Sequence, residues 1–401
     1  MSEPPHLLKI NSMRIAPKPI PENGRIVYIQ YTNPTYYPPI EHSATIFRAN
    51  GWRVTLLGIH SKGETNNLQF DADLNAETKF LPNWGNRSLL KLHFCIFVFW
   101  CWATLYLRRP NLVWLSDRMA CPVGALLALT TSIPLVYQEH DGQANSQKGI
   151  DKLLDYTRKL TAARSIFCIL PNSARAEIFQ TEIPNTRQIL TVMNCPSIAE
   201  TENLALAQNP SDRLRLYYHG SLGPSRLPLT ILAALQQLPD GFELTIVGYE
   251  TNNSGYLSHF LEQAAVLGLR SRVHYEGALT PRDVLLRRCS QSDVGLALLP
   301  LGTKDPNERS MAGATNKIFD YLACGIPALV PDMPDQVQMF VNSGVALACD
   351  PGQPDSIAAA FDWFAKHPAE TRAMGKRGRA RILTDWNYEN QFKPVLNAIR
   401  S

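Results

Sequence analysis

Residues 26–59 read IVYIQYTNPTYYPPIEHSATIFRANGWRVTLLGI, and the order of patterns within this stretch decides the fold. An apolar run of strand length comes first, then a Pro-rich loop, then a helical segment ending near Gly51, then a second apolar strand at 54–57. Strand, helix and buried strand in succession make one β-α-β unit, which builds a parallel sheet covered by its crossover helix. Further apolar strands are predicted at 112–115, 134–138, 165–170 and 188–192, separated by helix-like stretches, so the first half forms a parallel, helix-covered sheet. Upstream, residues 1–24 are polar and Pro-rich, without the apolar region of a signal peptide, and are expected to form a flexible tail on a cytoplasmic protein.

Downstream, residues 196–212 are polar with Pro near each end and fit a linker or domain edge. A second α/β series follows, with strands predicted at 214–218, 243–247, 273–275, 294–298, 328–330 and 345–348. Two α/β domains of similar size are therefore expected, with a ligand in the cleft facing the carboxyl ends of the strands.

The 401 residues, 45% hydrophobic and 18% charged, exclude a disulfide-stapled miniature fold and wholesale disorder. The eight cysteines show no C-x-x-C spacing and read as reduced core residues. Net charge is +4, with 20 Lys and Arg against 15 Asp and Glu in residues 1–200, and 19 against 20 in the remainder. That mild asymmetry lacks the basic stripe of a nucleic-acid-binding protein, but suits a surface resting on anionic lipid. Residues 92–107, LHFCIFVFWCWATLYL, carry no charge and no polar helical face. As a helix they are about 24 Å long, short of a roughly 30 Å bilayer core, which disfavours a spanning segment. Two placements stay open: a helix buried in the core or in a dimer contact, or one dipped into the cytoplasmic leaflet with Trp100 and Trp102 at headgroup level and Arg108 and Arg109 on phosphates.

Two blocks carry the candidate chemistry. In Asn316-Lys317-Ile318-Phe319-Asp320-Tyr321-Leu322-Ala323-Cys324-Gly325-Ile326-Pro327, a helix ends at a Gly turn and feeds a strand. Before it, the small residues from Ser310 to Thr315, Gly313 and Ala314 among them, let backbone amides approach a phosphate. Asp320, one turn into the helix, is placed to hold a ribose diol; the alternative is a solvated helix pair with Lys317. The second block, His219-Gly220-Ser221-Leu222-Gly223-Pro224-Ser225-Arg226, follows a strand and precedes a helix. Its Gly residues permit close approach and Arg226 adds a positive charge facing a diphosphate; the alternative is an ordinary βα loop.

Together these blocks resemble the retaining, GT-B-fold glycosyltransferases of the glycosyltransferase 4 group (glycosyl transferases group 1), which move a sugar from a nucleotide donor to an acceptor. The resemblance rests on Gly220-x-Leu222 with Arg226 six places after the Gly, Val247-Gly248, Val273-x-Tyr275-x-Gly277, the strand from Ser292-Asp293-Val294 to Pro300, and Lys317-x-x-Asp320-Tyr321-x-Ala323-x-Gly325-x-Pro327. It implies two Rossmann-like domains facing each other across a cleft: residues 25–198, completed by a C-terminal helix at 386–401 that begins at Trp386, and residues 199–385. The first domain matches more loosely. Pro38, Pro39 and Ile40 fall in the family's acceptor-side loop, and Asp117, Glu139-His140-Asp141, Asn172 and Asn194 fall at its strand ends.

The family relation further implies retention of configuration, with Arg226 and the 313–315 amides on the diphosphate, helped by Lys317. Asp320 would hold the ribose, Glu276, Gly277 and Leu279 would line the base pocket, and His140 would orient the transferred sugar. His140 has the alternative of a satisfied or simply exposed histidine. No metal or other cofactor is expected, since no D-x-D or metal-spaced His and Asp cluster occurs. The implied partners are a UDP- or GDP-sugar and a glycan or lipid-linked acceptor, with peripheral contact to the inner face of the plasma membrane through residues 92–109 and no nucleic acid. Three departures stand out: Ala312 where the family often has a carboxylate, Ser221 where it often has Arg, and Pro39-Ile40 in place of a Gly pair. They leave two rivals, a non-catalytic scaffold of a polysaccharide assembly complex and a nucleotide-sugar epimerase on the same fold.

Overall fold

The computed structural model describes residues 20–60, 75–85, 87–142, 149–204, 213–250 and 254–400. Most of the expected N-terminal tail and residues 205–212 of the expected linker lie outside the described residues. The first sheet holds β1 (Arg25–Ile29), β2 (Arg53–Ile59), β3 (Glu77–Leu81), β4 (Leu112–Ser116), β5 (Leu135–Gln138), β6 (Phe167–Leu170) and β7 (Ile189–Thr191) in the order β3-β2-β1-β4-β5-β6-β7. The second holds β8 (Leu214–Leu222), β9 (Phe242–Glu250), β10 (Val273–Tyr275), β11 (Val294–Leu296), β12 (Ala328–Pro331) and β13 (Ala346–Cys349) in the order β10-β9-β8-β11-β12-β13. Neighbouring strands are parallel throughout, as the two-domain α/β reading expects. In each sheet the strand order reverses beside the first strand, at β1/β4 and at β8/β11, and the carboxyl ends there open a crevice.

Sequence reading missed β3, because ETKFL is an exposed, half-polar edge strand. The segment read as a linker begins as a short helix, Ile198–Glu202, closed by a capping box between Ser197 and Glu200. The chain crosses back beside it: Tyr388 N–H donates to Pro196 O at 2.9 Å, and Glu389 accepts from Ile198 N–H at 3.1 Å. Trp386 packs on Phe319 and Phe340 of the second domain, whereas Tyr388 and Phe392 join Phe47 and Trp114 in the first. Seven of the eight free cysteines are buried and Cys95 is exposed.

The apolar segment forms a helix over Leu90–Arg108, long and apolar enough to cross a membrane by length and composition. It is neither buried in the core nor free of it. His93, Phe94, Phe97, Cys101 and Leu105 pack on the first domain, while the opposite face exposes Leu92, Ile96, Phe99 (63% exposed) and Leu107 (80%).

Behind the cleft, the Arg158 guanidinium is sealed between Glu139 (2.5 and 2.8 Å) and Glu182 (2.8 Å) and lies over the Phe179 ring. Tyr137 Oη also donates to Glu139, at 2.6 Å. This unit anchors the end of β5, one residue before His140. Arg158→Met leaves the Glu139 carboxylate buried without its cation and is expected to cost roughly 3–5 kcal/mol, read as a lower urea midpoint with an unchanged slope.

Candidate active site

The donor-side features assemble at the carboxyl ends of β8, β11 and β12. Strand β8 continues through His219 and Gly220 to Leu222, and Gly220 pairs with Gly248 of β9. Both have positive φ, and a Cβ on Gly248 would stand 1.9 Å from Gly220 O, so the close approach of these strand ends requires glycine. A Cβ on Gly220 would stand 2.6 Å from Lys317 Cε, so the missing side chain is the passage through which Lys317 runs. Lys317 Nζ donates to Tyr218 Oη at 3.0 Å and lies 4.6 Å over the same ring. Burial, with Arg226 adding like charge, pushes its ammonium down to about 7.

Arg226 sits in the turn before the helix Thr230–Gln236, not in its first residues, because its N–H and that of Leu227 both donate to Gly223 O. Its guanidinium lies 3.9 Å from Glu308. Arg226, Lys317 and Thr315 line a small cleft with the 297–299 segment that follows β11.

Asp320 is 1% exposed and faces inward. Arg282 donates to it twice, at 2.5 and 3.2 Å, and His219 Nε2 lies 3.2 Å from Oδ2. Burial raises this carboxyl, but Arg282 and His219 hold it below the usual range. Both oxygens are thus engaged by Arg282 and His219 on the inner face of the helix Asn316–Ala323, in place of the solvated pair with Lys317. The same Arg282 donates to Glu200 at 2.6 Å, and Glu200 lies 3.0 Å from His42 Nε2 on the helix Pro38–Ala49. A continuous chain of charged and titratable groups therefore runs from the first domain, across the domain crossing, to the strand end at His219.

The expected amide cradle at 313–315 also takes a different form. Thr315 caps the helix, its side chain accepting from Lys317 N–H at 3.4 Å, but the Ala314 and Thr315 amides both donate back to Met311 O. The carbonyls of this loop face the first domain. Asn172 Nδ2 donates to the oxygens of Ser310 (2.9 Å) and Ala312 (2.7 Å), Asn194 Nδ2 to Ala314 O (2.6 Å), and Arg175 to those of Ser310, Asn307 and His140. The Glu276 carboxylate is taken by Arg288 at 2.8 Å, while Gly277 O accepts from Gly248 N–H and Leu279 packs on the second-domain core.

Across the cleft, His140 is buried, its Nε2 2.9 Å from Ser116 Oγ and its N–H donating to Asp117 Oδ1 at 2.8 Å. Asp117 has φ 63° and ψ 167°, a region otherwise left to glycine, and this strain sits at the carboxyl end of β4. The Tyr37 ring lies 5.1 Å from that of His140, tilted by 39°, and Pro38, Pro39 and Ile40 begin the following helix instead of extending the loop. The structure thus brings together Gly220, Arg226, Thr315 and Lys317 on one side and Asp117 with His140 on the other. Asp320 is paired with Arg282 and Glu276 with Arg288. Sequence reasoning missed Arg175, Arg282 and Asn307. Only the Arg282 position, directly after Pro281 at a helix start, carried any signal.

Residues 229–397 match the family model described as glycosyl transferase-like. Among solved structures, sucrose-phosphate synthase from Thermosynechococcus elongatus is similar with a TM-score of 0.74 at 15% identity, covering 94% of this chain and 98% of that one. Anabaena HepE in complex with UDP and glucose gives 0.71 at 15%, covering 94% and 99%. An E. coli structure described as trehalose-6-phosphate bound with UDP-2-fluoro glucose gives 0.67 at 13%, again covering 94% and 99%. No curated protein matches the chain in sequence. Two parallel-sheet domains and these structural likenesses show a fold of GT-B type. The family match falls on the second domain, where the glycosyltransferase-like motifs lie, and covers less than half of the chain.

A pH dependence follows from Lys317. An unfolded lysine keeps its proton to about pH 10.4, whereas this one loses it near 7 when folded, so between those values the unfolded chain binds more protons and stability rises with pH. Wild type is expected to gain stability from pH 7 to pH 9 relative to Lys317→Met, measured by urea unfolding at both values.

Proposed function

We propose that the chain transfers a sugar from a UDP- or GDP-sugar to a glycan or lipid-linked acceptor, with retention of configuration and without a bound metal, in cell-surface glycan synthesis. The observation that carries this reading is the convergence of Arg226 and Lys317 on one strand-end cleft. Among the described residues Lys317 has no carboxylate partner, so a diphosphate is the anion that its position calls for. A departing nucleoside diphosphate must be neutralised as its bond to the sugar breaks; Arg226 is a fixed cation beside the cleft, and an arriving diphosphate favours the protonated form of Lys317, which completes the pair. The acceptor hydroxyl attacks on the face the diphosphate leaves, and the leaving phosphate takes its proton. His140, fixed by Ser116, Asp117 and Arg175, orients the sugar from the opposite wall. Asp320 acts as a positioning residue for the Lys317 helix. The Asn172, Arg175 and Asn194 contacts close the domains and exclude water as a competing acceptor.

The helix Leu90–Arg108 supports a membrane-bound acceptor. Its exposed face is flanked by Lys91, Arg108 and Arg109 and extended by Leu126 and Leu129 of the helix Cys121–Thr130. Its first turns touch the acceptor-side loop, where Tyr31 Oη lies 2.9 Å from His93 Nδ1 and the Tyr31 ring meets Phe94. Contact with the inner leaflet through residues 92–109 would hold a lipid-linked acceptor beside the cleft.

Incubation with UDP- and GDP-sugars, membrane lipid extract and chelator is expected to give a labelled glycolipid whose anomeric configuration matches the donor. Lys317→Ala and Arg226→Ala are each expected to lower kcat/KM about 100-fold or more. Intact folding without donor consumption would favour the scaffold reading. In a separate flotation assay, Phe99→Ser with Leu107→Ser is expected to release the protein from anionic vesicles while leaving transfer to a water-soluble acceptor intact.

A further inference from the structure

Gln336 follows β12 by five residues, and its side chain is sealed, at 1% exposure. Its Oε1 has no hydrogen-bond partner, although buried acceptors are normally satisfied. The residue lines the same cleft as Arg226, Thr315 and Lys317. Its neighbour Asp335 accepts from Ala312 N–H at 3.1 Å, which ties this turn to the loop that presents only a methyl group at position 312.

The cleft thus divides by chemistry. Arg226 and Lys317 offer donors and positive charge, suited to the diphosphate. An amide oxygen repels a phosphate oxygen and complements a hydroxyl. A nucleotide-sugar carries hydroxyls on its ribose and on its sugar, and only the sugar's are missing from the bare diphosphate. We propose that Gln336 Oε1 accepts a hydrogen bond from a hydroxyl of the transferred sugar, making Gln336 a specificity-determining residue. This rests on the cleft being the nucleotide-sugar site. Removing an acceptor from a site built to bond a hydroxyl costs selectivity more than general affinity.

The test is calorimetric titration of the full chain with UDP, GDP and their glucose, galactose and mannose conjugates. Wild type is expected to bind one nucleotide-sugar at least tenfold more tightly than its bare diphosphate. Gln336→Met, similar in shape but without the acceptor, is expected to erase that preference while diphosphate affinity stays within twofold. Gln336→Glu retains an acceptor and is expected to keep the preference, which carries the test if the Met variant does not fold. Equal losses for sugar and diphosphate, or no loss for either in the Met variant, would overturn the assignment of Gln336. Failure of wild type to bind any nucleotide would overturn the cleft assignment itself.

Discussion

One guanidinium, that of Arg282, organises the ground on which the second domain's site stands. It lies between Asp320 and Glu200, so it holds the Lys317 helix and the domain-crossing segment in a single buried ionic unit. Burial makes such a unit unforgiving: each carboxylate is desolvated and tolerable only while its cation stays. Through Asp320 the unit also fixes His219, the residue before Gly220, and through Glu200 it reaches His42 on the helix that follows the acceptor-side loop. The position of Lys317 over Tyr218 is thus set from behind by a network that never enters the cleft.

Two neighbours in one motif have different surroundings. The Asp of the Lys-x-x-Asp-Tyr pattern is paired with Arg282 on the inner side of its helix, and the Lys one turn earlier reaches Tyr218 at the strand ends. The loop before the helix is likewise committed. Its carbonyls are clasped by Asn172, Arg175 and Asn194, and two of its amides are closed onto Met311. The cleft is lined by the Arg226 guanidinium and the Lys317 amine, and also by Gln336, whose sealed Oε1 has no partner.

The fold was legible because buried parallel strands are near-continuous apolar runs, which need no partner information to be read. The edge strand β3, with Glu77 and Lys79 in five residues, gave no such run. The positions of Gly220, Arg226 and Lys317 were legible as motif spacing, since they depend on local strand-turn-helix geometry. The fate of Asp320 was not, because its cation lies 38 residues away and nothing local pairs them. A run of small residues announced a close backbone approach at 310–315, but which way its amides turn depends on a hydrogen bond that composition does not encode. Gln336 was silent for the same reason, since an orphaned acceptor exists only once its surroundings are built.

The most direct measurement is a crystal structure of the protein with the bound nucleoside diphosphate. The terminal phosphate is expected within hydrogen-bonding distance of both the Arg226 guanidinium and Lys317 Nζ, with the Arg282–Asp320 pair unbroken. A diphosphate bound away from both cations, or Asp320 swung from Arg282 onto the ribose, would contradict this expectation.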